Sequence, residues 1–233
     1  MKALFAALLV AAATPALAHP PRPAEDVARD AARHPAEMVA FAKIGKGTMV
    51  ADFVPGSGYF TRVFSEAAEP GGVVTAIIPA IAEKLNAKDA KAVRDLAADA
   101  GYGNIVIATS PAELAPGSQD VVWTAQNYHD FHNSPAGAAG VAPINKAIFA
   151  VLKPGGLYVI VDHAAAPGSG TTTTQTLHRI DPAVLKAEVV AAGFVFDGES
   201  KVLANPADDH SKMVFDPAIR GKTDQFVYRF RKP

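Results

Sequence analysis

Cysteine is missing altogether from the 233 residues. Its absence excludes disulfides, thiolate nucleophiles and cysteine-ligated metals, and leaves a hydrophobic core as the source of stability. Charge is sparse as well: Asp, Glu, Lys and Arg make up 19% of the chain, and the formal net charge is -1. Lys and Arg never run in blocks, so the sequence advertises neither a nucleic-acid surface nor an electrostatic membrane anchor. Nearly half of the residues, 49%, are hydrophobic, which suits one globular α/β domain with a sizeable core. The expected partner is a small molecule or another protein.

At the N-terminus, Lys2, an apolar run from Ala3 to Ala13 and Ala16-Leu17-Ala18 have the order of a secretory signal and its cleavage site. The run is too short to cross a bilayer, which needs about 20 residues. It is apolar on every side, and Pro20, Pro21 and Pro23 follow, which argues against a helix of the domain. Residues 1–18 are therefore expected to be removed. Residues 19–233 are expected to form a single domain, periplasmic or secreted.

Helix is expected over 24–42, with Pro35 in the first turn of a second short piece. Strands are expected at 48–53, 73–78, 105–108, 120–124 and 157–161, alternating with helices at 59–68, 83–100 and 143–152. This alternation implies right-handed crossovers and a parallel sheet covered on both faces. Asp181-Pro182 reads as an N-cap followed by Pro at the first helical position, with Gly193 as the stop. Residues 194–203 and 225–231 read as strands, the latter near the sheet edge. Between them lies a loop of some twenty residues, unusual inside a compact domain. Trp123, in mid-strand, is expected in the core.

The stretch Asp52-Phe53-Val54-Pro55-Gly56-Ser57-Gly58-Tyr59 joins the first strand to the first long helix. A glycine turn there lets backbone approach a ligand beside a helix N-terminus. With the five-strand alternation, Lys153-Pro154-Gly155-Gly156 before the fifth strand and a C-terminal strand that reads as antiparallel, the mature chain resembles the class I S-adenosylmethionine-dependent methyltransferases. It is most similar to an exported bacterial branch carrying segments like Thr176-Leu177-His178-Arg179-Ile180-Asp181 and Asn205-Pro206-Ala207-Asp208-Asp209-His210. The resemblance implies a Rossmann-like three-layer α/β sandwich, whose mostly parallel seven-stranded sheet ends in an antiparallel strand. It implies S-adenosylmethionine as cofactor, with Asp52, Gly56 and Gly58 at its methionine end beside Pro55, Ser57, Tyr59 and Asn127. The chain departs from the family pattern in three places. Val54 stands where a Gly is usual, Ile77-Ile78-Pro79 replaces the acid that accepts the ribose hydroxyls, and Thr109-Ser110 replaces an Asp near the adenine. Each lost charge-assisted hydrogen bond would cost about 1.5–3 kcal/mol of binding.

Gln126-Asn127-Tyr128-His129-Asp130-Phe131-His132 follows the fourth strand, and Asp162-His163 ends the fifth. Two neighbouring strand ends thus each present a His to one cleft, where imidazole and carboxylate suit general base work. His129, Asp130, His163 and His178 are the candidate catalytic residues. Tyr128, His132, Arg179 and Arg220 are the candidate substrate contacts; the loop over 205–224 could close as a lid, with Arg220 in it or Arg179 before the late helix offering a fork to a carboxylate. Imidazoles with a carboxylate also suit zinc, iron or copper. His129 and His132, three apart on a loop, lack the spacing of a helix-borne zinc motif, so no metal ligand is assigned. His129→Ala is expected to abolish activity at a stability cost within about 1 kcal/mol. Three functions fit: methyl transfer to a small molecule outside the cytoplasm; the same fold turned to hydrolase, lyase or isomerase chemistry; or a binding protein that keeps only the cleft.

Overall fold

The computed structural model describes residues 19–134 and 136–233; the secretory signal read from residues 1–18 lies outside the described residues. Three short helices lead in: α1 (Ala24–Val27), α2 (Asp30–Arg33) and α3 (Pro35–Phe41). The second short piece expected at Pro35 is α3, preceded by His34 at a left-handed φ of 46°, since the proline ring disfavours α-helical backbone in the residue before it; the further break between α1 and α2 was not expected. Strands and helices then alternate as β1 (Met49–Phe53), α4 (Tyr59–Ala68), β2 (Val73–Ile77), α5 (Ala80–Leu85), α6 (Ala87–Ala98), β3 (Ile105–Ala108) and β4 (Gln119–Ala125). There follow α7 (Tyr128–Phe131), α8 (Val141–Val151), β5 (Leu152–His163), α9 (Pro182–Ala191), β6 (Val195–Ser200) and β7 (Gln225–Arg231). The single helix expected over 83–100 is two, because the Asn86 side chain caps α6 by accepting from the Asp89 N–H.

The seven strands form one sheet in the order β3-β2-β1-β4-β5-β7-β6. The first five are parallel, and β7 runs antiparallel to both β5 and β6. The expected mostly parallel, seven-stranded sheet with an antiparallel C-terminal strand is therefore present. The order reverses between β1 and β4, whose following connections leave in opposite directions and open a crevice at their carboxyl ends.

Alternation along each strand feeds two cores. Val122, Tyr158, Ile160 and Phe230 pack with Ile148 of α8 and Leu185 and Val189 of α9. Val50, Trp123, Val159 and Val227 pack with Met38 of α3 and Phe60 and Phe64 of α4. Trp123 is fully buried, its ring 4.7 Å from Phe60 and 5.1 Å from Phe64. With helices on both sheet faces, the strand ends are left to build the site.

Candidate active site

Asp52 ends buried in β1, where Thr61 Oγ1 donates to its carboxylate at 2.7 Å. Burial pushes its carboxyl up to about 7, against the opposing hydrogen bond from Thr61. The chain then turns sharply. Val54 sits at φ +60°, a left-handed conformation that a β-branched side chain resists and glycine adopts freely. The turn is tied down by Asn127, whose Nδ2 donates to the carbonyls of Val54 (2.9 Å) and Ala125 (2.7 Å), joining the ends of β1 and β4. Gly56, at φ +58°, has open space where a Cβ would stand.

Two clefts flank this turn. The smaller, about 230 Å³, is lined by Val54, Pro55, Gly56, Ile78, Asn127 and Asp130. The larger, about 490 Å³, is lined by Arg29, Arg33, Ser57, Gln126, His163 and Arg220, with Phe215 and Thr223 of the late loop. Asp89 of α6 borders both. It brings a carboxylate close to the place where Ile78 leaves none after β2, a compensation that sequence reasoning missed because α6 is remote in sequence from the turn. The open Gly56 position, the pinned backbone and Asp89 together fit a nucleoside-bearing ligand of the S-adenosylmethionine type.

Arg29 and Arg33 were also missed, since nothing in the sequence of the lead-in helices distinguishes them. Burial first, and Arg29 second, push the Arg33 guanidinium down to about 10, so it stays charged at neutral pH. Its Nη2 donates to Gln126 Oε1 at 3.1 Å, and it lies 4.8 Å from the centre of the Tyr59 ring. Tyr59, expected against the cofactor, is 2% exposed and donates its hydroxyl to Asp30 at 2.6 Å. It props Arg33 instead. Gly58, at φ +87°, packs against α6, where an added Cβ would meet Leu96 at 3.1 Å.

Three of the candidate catalytic residues meet. His129 is buried in α7. Its Nδ1 lies 2.8 Å from Asp162 Oδ1, its backbone N–H donates to Asp162 Oδ2 at 2.8 Å, and its Nε2 lies 3.3 Å from His178 Nδ1 and 3.4 Å from Asp130 Oδ1. Burial disfavours the His129 imidazolium, but the Asp162 charge and hydrogen bond outweigh it and hold its pKa above the usual value. For Asp162, burial pushes up while His129 pulls down, with the net direction down. His163 stands apart from the trio. Its ring centre is 6.3 Å from that of His129, its Nδ1 is 2.8 Å from Thr223 Oγ1, and burial drives its pKa down to about 4, which leaves it neutral in the larger cleft.

Three of the expected substrate contacts lie elsewhere. Tyr128 is fully buried between α8 and α9, donating to Glu188 Oε2 and accepting from Asn145, and His132 also meets Glu188, at 3.2 Å. One helical turn over α7 sends these side chains toward α9 while His129 faces β5. Arg179 is fully buried, its Nη2 2.9 Å from Asp208 and its Nη1 donating to the Ala164 carbonyl. It fastens the late loop to β5. Arg220 alone of the four reaches a cleft. The low stability cost expected for His129→Ala also needs revision, because the variant would strand the buried Asp162 carboxylate.

No protein-family model matches the chain, and no curated protein matches it in sequence. Solved structures do resemble it in fold. A SAM-dependent methyltransferase from Aquifex aeolicus superposes with a TM-score of 0.63 at 15% identity, over 88% of this chain and 93% of its own. The cyclase SpnF gives 0.62 at 15% identity, over 87% and 80%. The 1,6-didemethyltoxoflavin-N1-methyltransferase of Burkholderia thailandensis, with 1,6-didemethyltoxoflavin and S-adenosylhomocysteine bound, gives 0.57 at 20% identity, over 89% and 81%. The chain has the fold of the class I SAM-dependent methyltransferases, built around a cleft at the carboxyl ends of its parallel strands.

Proposed function

We propose that this protein is an S-adenosylmethionine-dependent methyltransferase acting on a small molecule outside the cytoplasm. The observation that carries the reading is the open turn at Gly56, pinned by Asn127 at the switch point of the sheet, with Asp89 beside it. When bound, the cofactor supplies an electrophilic methyl group. Gly56 would leave it room against the backbone, Asp89 would accept hydrogen bonds from its hydroxyls, and Arg33 and Arg29 would neutralise a carboxylate. The acceptor would approach the wall that carries His129, Asp130 and His178; its nucleophilic atom would take the methyl group, leaving S-adenosylhomocysteine, and give its proton to His129 or Asp130. Export rests on the sequence of residues 1–18; a mature mass beginning at His19 in the periplasmic or secreted fraction is the expected result.

Calorimetric titration of the purified protein with S-adenosylhomocysteine tests the reading. Saturable binding of one molecule per chain is expected, weakened at least about tenfold in Gly56→Val, whose φ a β-branched residue resists. No binding at millimolar ligand would sink it. A second reading, the same fold with non-methyl chemistry, is favoured by the apolar Ile78 at the ribose position and by the buried His129–Asp162 pair.

A further inference from the structure

We infer that His129, Asp130 and His178 form a binding site for a divalent transition metal ion, zinc by its spacing. His129 Nε2 is 3.3 Å from His178 Nδ1 and 3.4 Å from Asp130 Oδ1, and those two are 3.6 Å apart. The three ligand atoms thus make a nearly equilateral triangle. A tetrahedral ion with bonds of about 2.1 Å holds its ligands roughly 3.4 Å apart, whereas an octahedral ion with the same bonds holds adjacent ligands roughly 3.0 Å apart. The triangle matches the tetrahedral spacing, the preference of zinc, and leaves the fourth position free.

The surroundings also hold an outer group that fixes the His129 imidazole, as such sites require. Asp162 takes His129 Nδ1 at 2.8 Å and also accepts the backbone N–H groups of His129 and His163. This turns the ring so that Nε2 is the nitrogen left for a ligand. His178 is held from its backbone: it sits at φ +54°, a conformation costly for a non-glycine residue, between Leu177, whose carbonyl accepts from Val214, and the buried Arg179. Arg179 is therefore a positioning residue for His178. Phe215 covers the outer side of the His178 ring at 5.0 Å.

Asp130 is half-exposed and lines the smaller cleft, so the free position opens toward a bound small molecule. An ion there would draw the proton from a coordinated water or acceptor hydroxyl, lowering a bound water to a pKa of about 7. This site goes beyond the methyl-transfer reading and stands without it.

The test uses the purified protein stripped with a chelator and then loaded with zinc sulfate or cobalt(II) chloride. Elemental analysis after gel filtration should find one zinc per chain, and the cobalt form should show the intense visible bands of a tetrahedral centre. His178→Ala and Asp130→Asn, checked by circular dichroism for folding, should each lose the ion. Asp162→Asn should weaken zinc binding about 10–100-fold. His210→Ala, whose imidazole pairs with Asp224 outside the trio, should keep it. Less than stoichiometric zinc in the unaltered protein, or full zinc in both His178→Ala and Asp130→Asn, overturns the site. Zinc binding without S-adenosylhomocysteine binding overturns the methyl-transfer reading alone, and the converse overturns the metal site alone.

Discussion

The two walls of the crevice are built on opposite plans. Beyond β4 and β5 stand His129, Asp130, Asp162 and His163, joined by His178 and backed by the buried Arg179–Asp208 pair. Beyond β2 and β3 the chain offers Ile78-Pro79 and Thr109-Ser110, with backbone turns and carboxylates that come from elsewhere, Asp89 on α6 and Glu113, which accepts the Thr109 N–H. The first wall is ionic and the second mainly apolar. It follows that substitutions on the first should act through unpaired charge, and those on the second through shape and backbone strain.

The strongest way to break the ionic wall is Arg179→Met, which leaves the Asp208 carboxylate buried without its partner; unfolding in urea should show a loss of about 3–5 kcal/mol. A loss under about 1 kcal/mol would mean that the late loop is not fastened by this pair. His129→Ala should cost about 2–4 kcal/mol by stranding Asp162, and His129→Ala combined with Asp162→Ala should recover part of that loss. Additive losses in the double variant would show the pair to be uncoupled.

Asp52, beneath the turn, gives a pH signature. Its folded pKa of about 7 lies above the ordinary 3.8, so the folded state keeps a proton that the unfolded chain releases. Its contribution to stability is therefore present at acid pH and lost as pH rises from about 4 to 7. Asp52→Asn should flatten that slope and stabilise the protein at pH 8 by on the order of 1–3 kcal/mol. A slope unchanged in the variant would assign it to another group. The smallest effect belongs to the apolar wall. Val54→Gly relieves a strained φ but loses a side chain packed on the core, so stability should shift by less than about 1 kcal/mol while affinity for S-adenosylhomocysteine rises. Weaker binding would mean that the valine side chain itself contacts the ligand.

Where local chemistry decides structure, the sequence was readable. Helix 59–68 and strands 105–108 and 225–231 fall where periodicity and flanking turns put them, and Asp181 caps α9 by accepting the Ala183 N–H. The breaks between α1 and α2 and at Asn86 were harder, because each interrupts an otherwise helical composition, at Asn86 through a single cap. In the site, strand ends announced His129 and His163, and a place just before the late helix, near the rim of the cleft, added His178. What stayed hidden was the direction of side chains around the single turn of α7, which separates His129 from Tyr128 and His132, and the burial of Arg179, an ionic residue indistinguishable by sequence from one that greets a substrate. Asp89, Arg29 and Arg33 reach the clefts only through tertiary packing.

The placement of β7 between β5 and β6 has a bearing on when the cleft comes into being. Gln225 pairs with His163, and Thr223 holds the ring of that histidine, so part of the larger cavity is contributed by residues some 60 positions further along the chain than His163. Until they arrive, β5 presents a bare edge able to recruit another strand, and the pocket lacks a wall. Folding must therefore bring together segments far apart in the sequence before the larger cavity has its full lining.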